Sequence, residues 1–417
     1  MTLWTRGGRR ASVVLGSAMA MAVVLAMAGP ASADPRAGSV DLSYGGANTG
    51  TATVPGSLSV VYDRAGSARS LSFDLQVNRL TPAGTPDLSF GAAGVTPLYT
   101  GGYQIGDRHV DLLANGSMVV GTVDGSTFPP PSILVTRSLA NGAPDLAYGT
   151  GGLVVYPVSG FAYNEMRDVV SLDDGTTFVA GWEDRSGQGT ARRINPDGSL
   201  TTPTIGRCRG VPAVHTLTAN GMTAHTTSAG SNGRQAAVLG IGVLGPNTYG
   251  NSIVLLDACG RTVQSTILPR PSDTFFDHIV PTPEGWMLSS FDAVMALDRD
   301  LRPIRSFGVN GVVMMASVDL AAAGPSAVDS DGRVVLAGGR LETLPGSLLR
   351  DRLLVRLTDN GRLDPSFGSG GIVVAGDPID NGMWGAVAVD RASRIYVSWH
   401  RPTDPYPYPT FITRYNG

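Results

Sequence analysis

The amino-acid sequence predicts an all-β protein, a β-propeller of seven four-stranded blades. Three observations support this prediction. One motif recurs along the chain, short alternating strands joined by tight turns lie between its copies, and each end of the chain holds half of one copy. The 417 residues also include no lysine and few glutamates but 55 glycines and 28 prolines, a composition poor in helix formers and rich in turn formers.

The recurring motif is clearest in "RLTDNGRLDPSFGSGG", which starts at Arg356. Related stretches start at Arg79, Arg137, Arg193, Leu255 and Ala296. A second recurring piece, such as "VVSLDDGTTFVAG" from Val169, reads as two alternating strands around an Asn-Gly or Asp-Gly turn. One unit is therefore a hairpin, a third strand, a turn and a fourth strand, and seven units average about 55 residues each. The uneven spacing leaves six or eight blades as alternatives.

The two chain ends hold complementary halves of one unit. "GSVDLSYGG" starts at Gly38, and the chain stops at "FITRYNG" from Phe411. We therefore expect strands from both ends to form one blade that closes the ring, which leaves no open end face. A β-solenoid is the alternative fold, although it would not need a divided unit.

The motif resembles the delta-60 repeat, which belongs to a family of bacterial β-propellers. The resemblance is specific at residues 79–95, 137–153 and 356–372, and partial at 38–46 and 296–313. The strand pattern "AVDSDGRVVLAGG" also resembles NHL-type propellers. These resemblances imply a propeller and imply no reaction, because the delta-60 family has no established function.

Residues that recur in most copies are expected to serve the blades rather than a single site. In the motif, the Asp would accept backbone N–H groups in a turn. The aromatic residue that follows would fill the contact between neighbouring blades. These aromatic residues are Tyr44, Phe90, Tyr148, Phe307 and Phe367.

Residues 1–33 carry the features of a secretory signal peptide. Three arginines precede an apolar stretch at 11–29, and Ala31-Ser32-Ala33 forms a cleavage site. We expect cleavage, secretion, and a single propeller domain over 34–417, with an uncleaved anchor as the alternative. The Arg9-Arg10 pair leaves twin-arginine export open beside the general secretory route.

Removal of the three arginines changes the net charge from −3 to −6. An acidic chain lacks the concentrated basic face that nucleic-acid binding requires. No second apolar stretch approaches the ~20 residues that span a bilayer, so we expect no stable membrane insertion of the mature chain. We expect a monomer that binds a protein or an envelope polymer.

The two cysteines, Cys208 and Cys259, favour a disulfide, because an exported chain folds where disulfides persist. Closing a loop of that length stabilises by roughly 4 kcal/mol in the chain-entropy model. A two-cysteine metal site is the alternative, but neither residue has a Cys or His neighbour at ligand spacing.

Residues that differ between copies are the candidates for a site at one mouth of the central channel. Counting back from the hairpin glycines places five residues near equivalent positions: His109, Asp168, His215, His278 and Trp384. The three histidines are candidate metal ligands or, with nearby carboxylates, a general acid and base. The alternative is that they are ordinary strand residues with no common ligand.

The sequence contains none of the common motifs of hydrolases, metalloproteases or nucleotide-binding proteins. We therefore expect a secreted non-catalytic binding propeller rather than an enzyme. The alternative is an extracellular lyase or hydrolase with its site at the channel mouth, with or without a metal ion. The sequence requires no cofactor, although a bound metal ion is compatible with the histidines.

Overall fold

A computed structural model describes residues 36–417 of the chain, with gaps. The gaps are residues 64, 73–74, 99–103, 125–131, 158–165, 182–188, 203–205, 220–221, 246–247, 272–274, 291, 319–320, 341–350, 376–382, 402–403 and 405–408. The predicted signal peptide lies outside the described residues. Residues 37–417 form one compact unit.

The described strands form seven antiparallel sheets. The first strand in the chain, β1 (Thr51–Val54), belongs to the seventh sheet. Blade 1 contains β2 (Ser57–Tyr62), β3 (Ala68–Ser72), β4 (Gln76–Leu80) and β5 (Val95–Pro97). Blade 2 contains β6 (Gln104–Leu112), β7 (Met118–Asp124), β8 (Ser132–Ser138) and β9 (Leu153–Pro157). Blade 3 contains β10 (Met166–Ser171), β11 (Thr177–Gly181), β12 (Thr190–Ile194) and β13 (Val214–Thr216).

Blade 4 has a two-residue strand, β14 (Thr218–Ala219), before its four main strands. These are β15 (Met222–Ser231), β16 (Ala236–Gly245), β17 (Thr248–Leu256) and β18 (Thr262–Leu268). Blade 5 contains β19 (His278–Pro281), β20 (Gly285–Ser289), β21 (Ala293–Asp298) and β22 (Val312–Met314). Blade 6 contains β23 (Ala321–Val328), β24 (Val334–Arg340), β25 (Asp351–Leu357) and β26 (Ile372–Ala375). Blade 7 contains β27 (Met383–Val389), β28 (Ile395–His400), β29 (Thr410–Tyr415) and β1.

The seven sheets form a closed ring. The first main strand of each blade adjoins the first strands of both neighbours, in the order β2, β6, β10, β15, β19, β23 and β27, and β27 adjoins β2 again. These seven strands are therefore the innermost ones and line the central channel. The apolar cores lie between adjacent blades, as in the cluster that joins Val170 and Phe178 of blade 3 to Val238 and Val254 of blade 4. The predicted seven-bladed propeller is confirmed.

Helical structure in the described part of the chain is limited to two short 3₁₀ turns, Gly46–Asn48 and Met315–Val318. Among these residues no helix is long and apolar enough to cross a membrane.

Blade 7 combines strands from both ends of the chain, as the divided repeat predicts. Strand β1 pairs with β29, with Thr51 opposite Thr413. The two ends also complete one turn, in which Asn416 N–H donates to Ser39 O at 2.9 Å and Gly38 N–H donates to Asn416 O at 2.7 Å. The uninterrupted turn of blade 1 has the same pair of bonds, from Thr81 N–H to Thr85 O and from Gly84 N–H to Thr81 O, both 2.8 Å. The division therefore lies within an ordinary turn of the repeat.

The glycine of the motif joins each blade to the next at five of the seven junctions. Its backbone N–H donates to the carbonyl of the third residue in the turn that follows the third strand of the next blade. We call this hydrogen bond the junction clasp. The pairs are Gly45 to Ala83, Gly91 to Asn141, Gly149 to Asp197 and Gly308 to Asn360 at 2.8 Å, and Gly368 to Ala37 at 3.0 Å.

The Asp and the aromatic residue of the motif have the structural roles that the repeat predicts. Asp364 Oδ1 accepts the Ser366 N–H at 3.0 Å, and its Oδ2 accepts Arg356 Nε at 2.8 Å. Arg356 lies over the ring of Phe367, 4.6 Å from the centroid. The same Arg–Asp–aromatic set recurs as Arg137, Asp145 and Tyr148, and as Arg414, Asp41 and Tyr44. All five motif aromatics are at most 1% exposed.

At the remaining two junctions, a side chain donates a hydrogen bond to the equivalent turn carbonyl. Between blades 3 and 4 the Arg193 guanidinium donates to Cys259 O at 3.0 Å, and Cys259 forms a disulfide with Cys208. Between blades 4 and 5 the Gln264 amide donates to Asp300 O. The two cysteines thus form the disulfide that an exported chain favours, and it lies at a blade junction.

Candidate functional site

The channel wall between blades 2 and 3 brings together two of the predicted site residues. His109 on β6 and Asp168 on β10 each lie four residues before the hairpin of their blade. Because the innermost strands of adjacent blades adjoin, these equivalent positions meet, and His109 Nδ1 lies 3.3 Å from Asp168 Oδ1. A carboxylate in this position orients an imidazole.

Asp111 adds a second carboxylate to this part of the wall. Its Oδ2 accepts the Ser171 N–H of blade 3 at 2.6 Å, and its Oδ1 accepts the Leu112 N–H at 2.9 Å. The pKa of Asp111 is raised to about 7, because burial and, to a smaller extent, the charge of Asp168 outweigh the two backbone hydrogen bonds, which lower it. The sequence prediction missed this residue, because no spacing rule distinguishes it among the thirty aspartates.

Backbone hydrogen bonds occupy both carboxylates of this cluster. Asp168 Oδ2 accepts the Ala229 N–H of blade 4 at 2.9 Å, and its Oδ1 accepts the Val169 N–H at 2.9 Å. Asp111 and Asp168 therefore connect β6 to β10 and β10 to β15. The innermost strand of a blade has an unpaired edge, and these carboxylates satisfy N–H groups along it. Their primary contribution is to the ring.

His278 and Trp384 lie on innermost strands but away from this cluster. His278 starts β19, and β15 separates that strand from β10. His278 Nε2 lies 3.8 Å from Oδ1 of the preceding residue, Asp277. Burial raises the pKa of Asp277, and the His278 charge opposes that shift. Trp384 lies on β27, opposite Trp399 of β28, and its side chain is outside the described residues.

His215 does not lie on the channel, which corrects the sequence prediction. It belongs to β13, the fourth and outermost strand of blade 3, where it pairs with Ala191. The count from Gly221 failed because "HTLTANGMTAH" contains only the small β14–β15 pairing, whereas the blade 4 hairpin turns at Gly233. Burial lowers the pKa of His215, and the Arg193 charge lowers it further.

The predicted three-histidine metal site is therefore not assembled. His109, His215 and His278 lie on blades 2, 3 and 5, and His215 is at the opposite edge of its sheet from the channel. Within the described ranges no group of three or more His, Cys, Asp or Glu side chains converges to hold a metal ion.

Leucine recurs at one motif position where its side chain is exposed rather than packed in the core. The residue after the motif Asp is a leucine on three consecutive blades, 7, 1 and 2. We call these residues the leucine row: Leu42, Leu88 and Leu146, which are 57%, 72% and 76% exposed. In blades 5 and 6 the same position holds Arg305 and Pro365, both exposed. Since the blade accepts a charged residue there, packing does not require the leucines.

No family model and no curated protein matches this chain. Solved structures that resemble it include the β-propeller domain of Cps50 (Swd1) from Myceliophteria thermophila, at 10% identity over 88% of this chain and 98% of that chain, with a TM-score of 0.49. BamB from Moraxella catarrhalis is similar at 11% identity over 86% and 82%, with a TM-score of 0.41. A Bacteroides caccae protein of unknown function has 11% identity over 73% and 78%, with a TM-score of 0.33. At these values the similarities carry no functional argument.

Proposed function

We propose that this protein is a secreted, non-catalytic β-propeller that binds a protein partner through the leucine row. The exposure of Leu42, Leu88 and Leu146 at one repeated position carries the proposal. Because they occupy equivalent positions on neighbouring blades, the three side chains face the same end of the ring. Exposed apolar groups arranged in this way favour association with another protein surface.

Two further exposed apolar residues belong to the same blades as the leucine row. Val40 and Leu139, near Leu42 and Leu146 in the sequence, are 38% and 41% exposed. A stable interface buries about 800 Å² on each partner, which requires more than isolated side chains. The acidic net charge supports a protein rather than a nucleic acid as the partner. The features of residues 1–33 support secretion.

The test is to replace Leu88 and Leu146 with Arg, because Arg305 shows that the blade accepts arginine there. The immobilised mature protein would be incubated with secreted and envelope proteins of the producing organism, and bound proteins identified by mass spectrometry. We expect a binder whose affinity falls at least about tenfold in the double variant. Val263→Arg, which changes a valine 54% exposed on β18, is the matched control and should leave binding unchanged.

Two outcomes oppose the proposal. One is a partner that binds the double variant and the Val263→Arg control equally well. The other is capture of a protease-resistant polysaccharide instead of a protein, which would assign the envelope polymer as the ligand.

The second candidate function is an extracellular lyase or hydrolase, and the contact between His109 and Asp168 favours it. An imidazole oriented by a carboxylate can transfer protons to and from a substrate in the channel. An activity on a polysaccharide or peptide that disappears in His109→Gln, but persists in the leucine variants, would support catalysis in place of binding. Elemental analysis of the purified protein tests the metal-dependent form.

A further inference from the structure

The junction between blades 3 and 4 lacks the motif that joins other blades. After its third strand, blade 3 continues as "NPDGSLTTPTIGRCRG", without the Ser-Phe-Gly of the motif. No motif glycine is present to donate a backbone N–H to the turn of blade 4, and no motif aromatic packs against that turn. The third residue of this turn is Cys259, which is 1% exposed.

Side chains replace each missing part of the clasp at this junction. The Arg193 guanidinium donates to the Cys259 carbonyl at 3.0 Å. The His215 ring lies against Gly260, where a Cβ would be 2.1 Å from Nε2, just as the Phe90 ring lies against Gly142 in blade 2. The disulfide then joins Cys208 of blade 3 to Cys259, with the Cα atoms 5.0 Å apart.

The apolar core between blades 3 and 4 includes small side chains beside larger ones such as Phe178 and Leu256. Four alanines contribute to the core between blades 3 and 4: Ala180, Ala191, Ala229 and Ala236. The core between blades 4 and 5, which also lacks a motif clasp, instead contains Trp286, Phe276 and Leu301. Apolar stabilisation follows the buried area, so the junction of blades 3 and 4 depends more on its covalent bond.

We propose that the Cys208–Cys259 disulfide holds blades 3 and 4 together in a redox-dependent way. Its reduction opens this junction while the other six junctions stay closed. The disulfide substitutes covalently for the clasp that this junction lacks. The proposal is independent of the leucine row, which lies on blades 7, 1 and 2.

The chemistry requires an external dithiol. A thiolate of the dithiol attacks Cys208 Sγ, forms a mixed disulfide and displaces the Cys259 thiolate, which takes up a proton. The second thiol of the reagent then closes its own disulfide and releases Cys208 as a thiol, so that two electrons and two protons pass to the protein. Cys208 is the accessible sulfur, because it is partly exposed between exposed Arg207 and Arg209, whereas Cys259 is buried. Arg207 pairs with Asp174 at 2.9 Å, so the guanidinium group of exposed Arg209 is the one that favours the approach of a thiolate.

Hydrogen–deuterium exchange on the folded wild-type protein, with and without dithiothreitol, tests this proposal. We expect amides in residues 190–195, 206–217 and 257–268 to exchange at least about tenfold faster after reduction. Amides at the clasp of Gly308 and Asn360 serve as the internal control and should be unaffected. The Cys208→Ser/Cys259→Ser double variant should reproduce the faster exchange without reductant and should not respond to it.

The proposal fails if reduction, verified by thiol counting, leaves exchange at this junction unchanged. It also fails if exchange rises equally at all seven junctions, because the disulfide would then support the whole ring rather than one junction. The wild-type measurement decides between these outcomes even where the double variant does not fold.

Discussion

Gly142 lies directly against the ring of Phe90 from the preceding blade. A Cβ on Gly142 would stand 2.9 Å from two carbons of that ring and 2.5 Å from Thr96 Oγ1, and the residue has φ +87°. The absence of a side chain therefore lets the turn of one blade approach the motif of its neighbour. Gly84 and Gly361, at the same turn position, also lie close to the motif of the preceding blade. The turn glycine is therefore part of the junction between blades.

The Gly142→Ala variant is expected to be destabilised by about 2–5 kcal/mol. About 1–2 kcal/mol comes from the positive φ, and the rest from the steric overlap with Phe90 and Thr96. Gly206→Ala is the control, since Gly206 has φ +83° and open space around it, so only the first contribution applies. Urea unfolding measures both, and equal losses would show that the contact with Phe90 does not restrict this position.

Replacing Asp364 by Asn is expected to cost about 3–5 kcal/mol, because it leaves the buried Arg356 guanidinium without its counter-charge. The two side chains are only 8% and 2% exposed. Burial by itself would raise the pKa of Asp364, but hydrogen bonds from Ser366 and the Arg356 charge bring it below its usual value. A lowered pKa means that the folded state favours the carboxylate.

The matched control for Asp364→Asn is Arg302→Ala, which breaks the exposed ion pair with Asp300 at 2.9 Å. Exposed pairs contribute about 0–1 kcal/mol, so this variant should remain close to the wild type. Chemical denaturation compares the two. A loss at Asp364 as small as that at Arg302 would contradict a stabilising role for the motif ion pair.

Leu301 occupies the turn position that holds glycine in the turns of Gly84, Gly142 and Gly361, and it has φ +57° and 2% exposure. Its side chain supplies apolar volume at a junction where blade 4 offers no motif aromatic. Leu301→Gly should therefore destabilise by about 1–3 kcal/mol, since loss of a buried leucine outweighs relief of the backbone strain.

Ala93→Gly is the control for Leu301, because Ala93 has φ +55° but is exposed. Here only the backbone strain changes, so we expect no loss or a gain of up to about 1 kcal/mol. Thermal unfolding of both variants tests this difference. A stabilised Leu301→Gly variant would show that the side chain fills no necessary space.

Asp111 should make the stability of the ring depend on pH. Its folded pKa of about 7 lies above the unfolded value near 3.9. A raised carboxyl pKa means that the folded state binds a proton more tightly. The contribution of Asp111 is therefore fully present below about pH 4 and is lost as the pH rises through 7.

Urea unfolding of the wild type and Asp111→Asn between pH 5 and 8 measures this contribution. We expect the free energy of unfolding of the wild type, relative to the variant, to decrease as the pH rises. Asp300→Asn, at an exposed site, should show no such trend. A difference between wild type and Asp111→Asn that stays constant over this range would refute the assignment.

The sequence was sufficient for the features that repeat. Copies of the motif predict the blades, and the half-copies at Gly38 and Phe411 predict the closure between β1 and β29. Counting from the hairpin glycine also assigned His109 and Asp168 to equivalent positions, where the structure brings them together, because the hairpins of blades 2 and 3 have the same length. Local patterns of turns and alternating side chains determine these features, so they can be predicted from the sequence alone.

The leucine row can also be found in the sequence, but the sequence does not show that its side chains are exposed. Leucine recurs at the position of Leu88 in three copies of the motif, and an aromatic residue recurs at the position of Phe90 in five, so repetition alone assigns both to the fold. The structure separates them, because Phe90 is 1% exposed and Leu88 is 72% exposed. Sequence periodicity identifies equivalent positions, whereas exposure depends on how neighbouring blades cover them.

Contacts between blades were decided by the tertiary structure. That Cys208 and Cys259 replace a junction clasp, that Asp111 contacts Ser171 and that His215 lies on an outer strand all follow from the packing of one blade on the next. Cys208 and Cys259 are 51 residues apart, and Asp111 and Ser171 are 60 residues apart. The position of His215 depends on which of two hairpins forms blade 4. The repeated sequence thus determines the strands and turns of each blade, while the geometry of the closed ring determines which side chains meet.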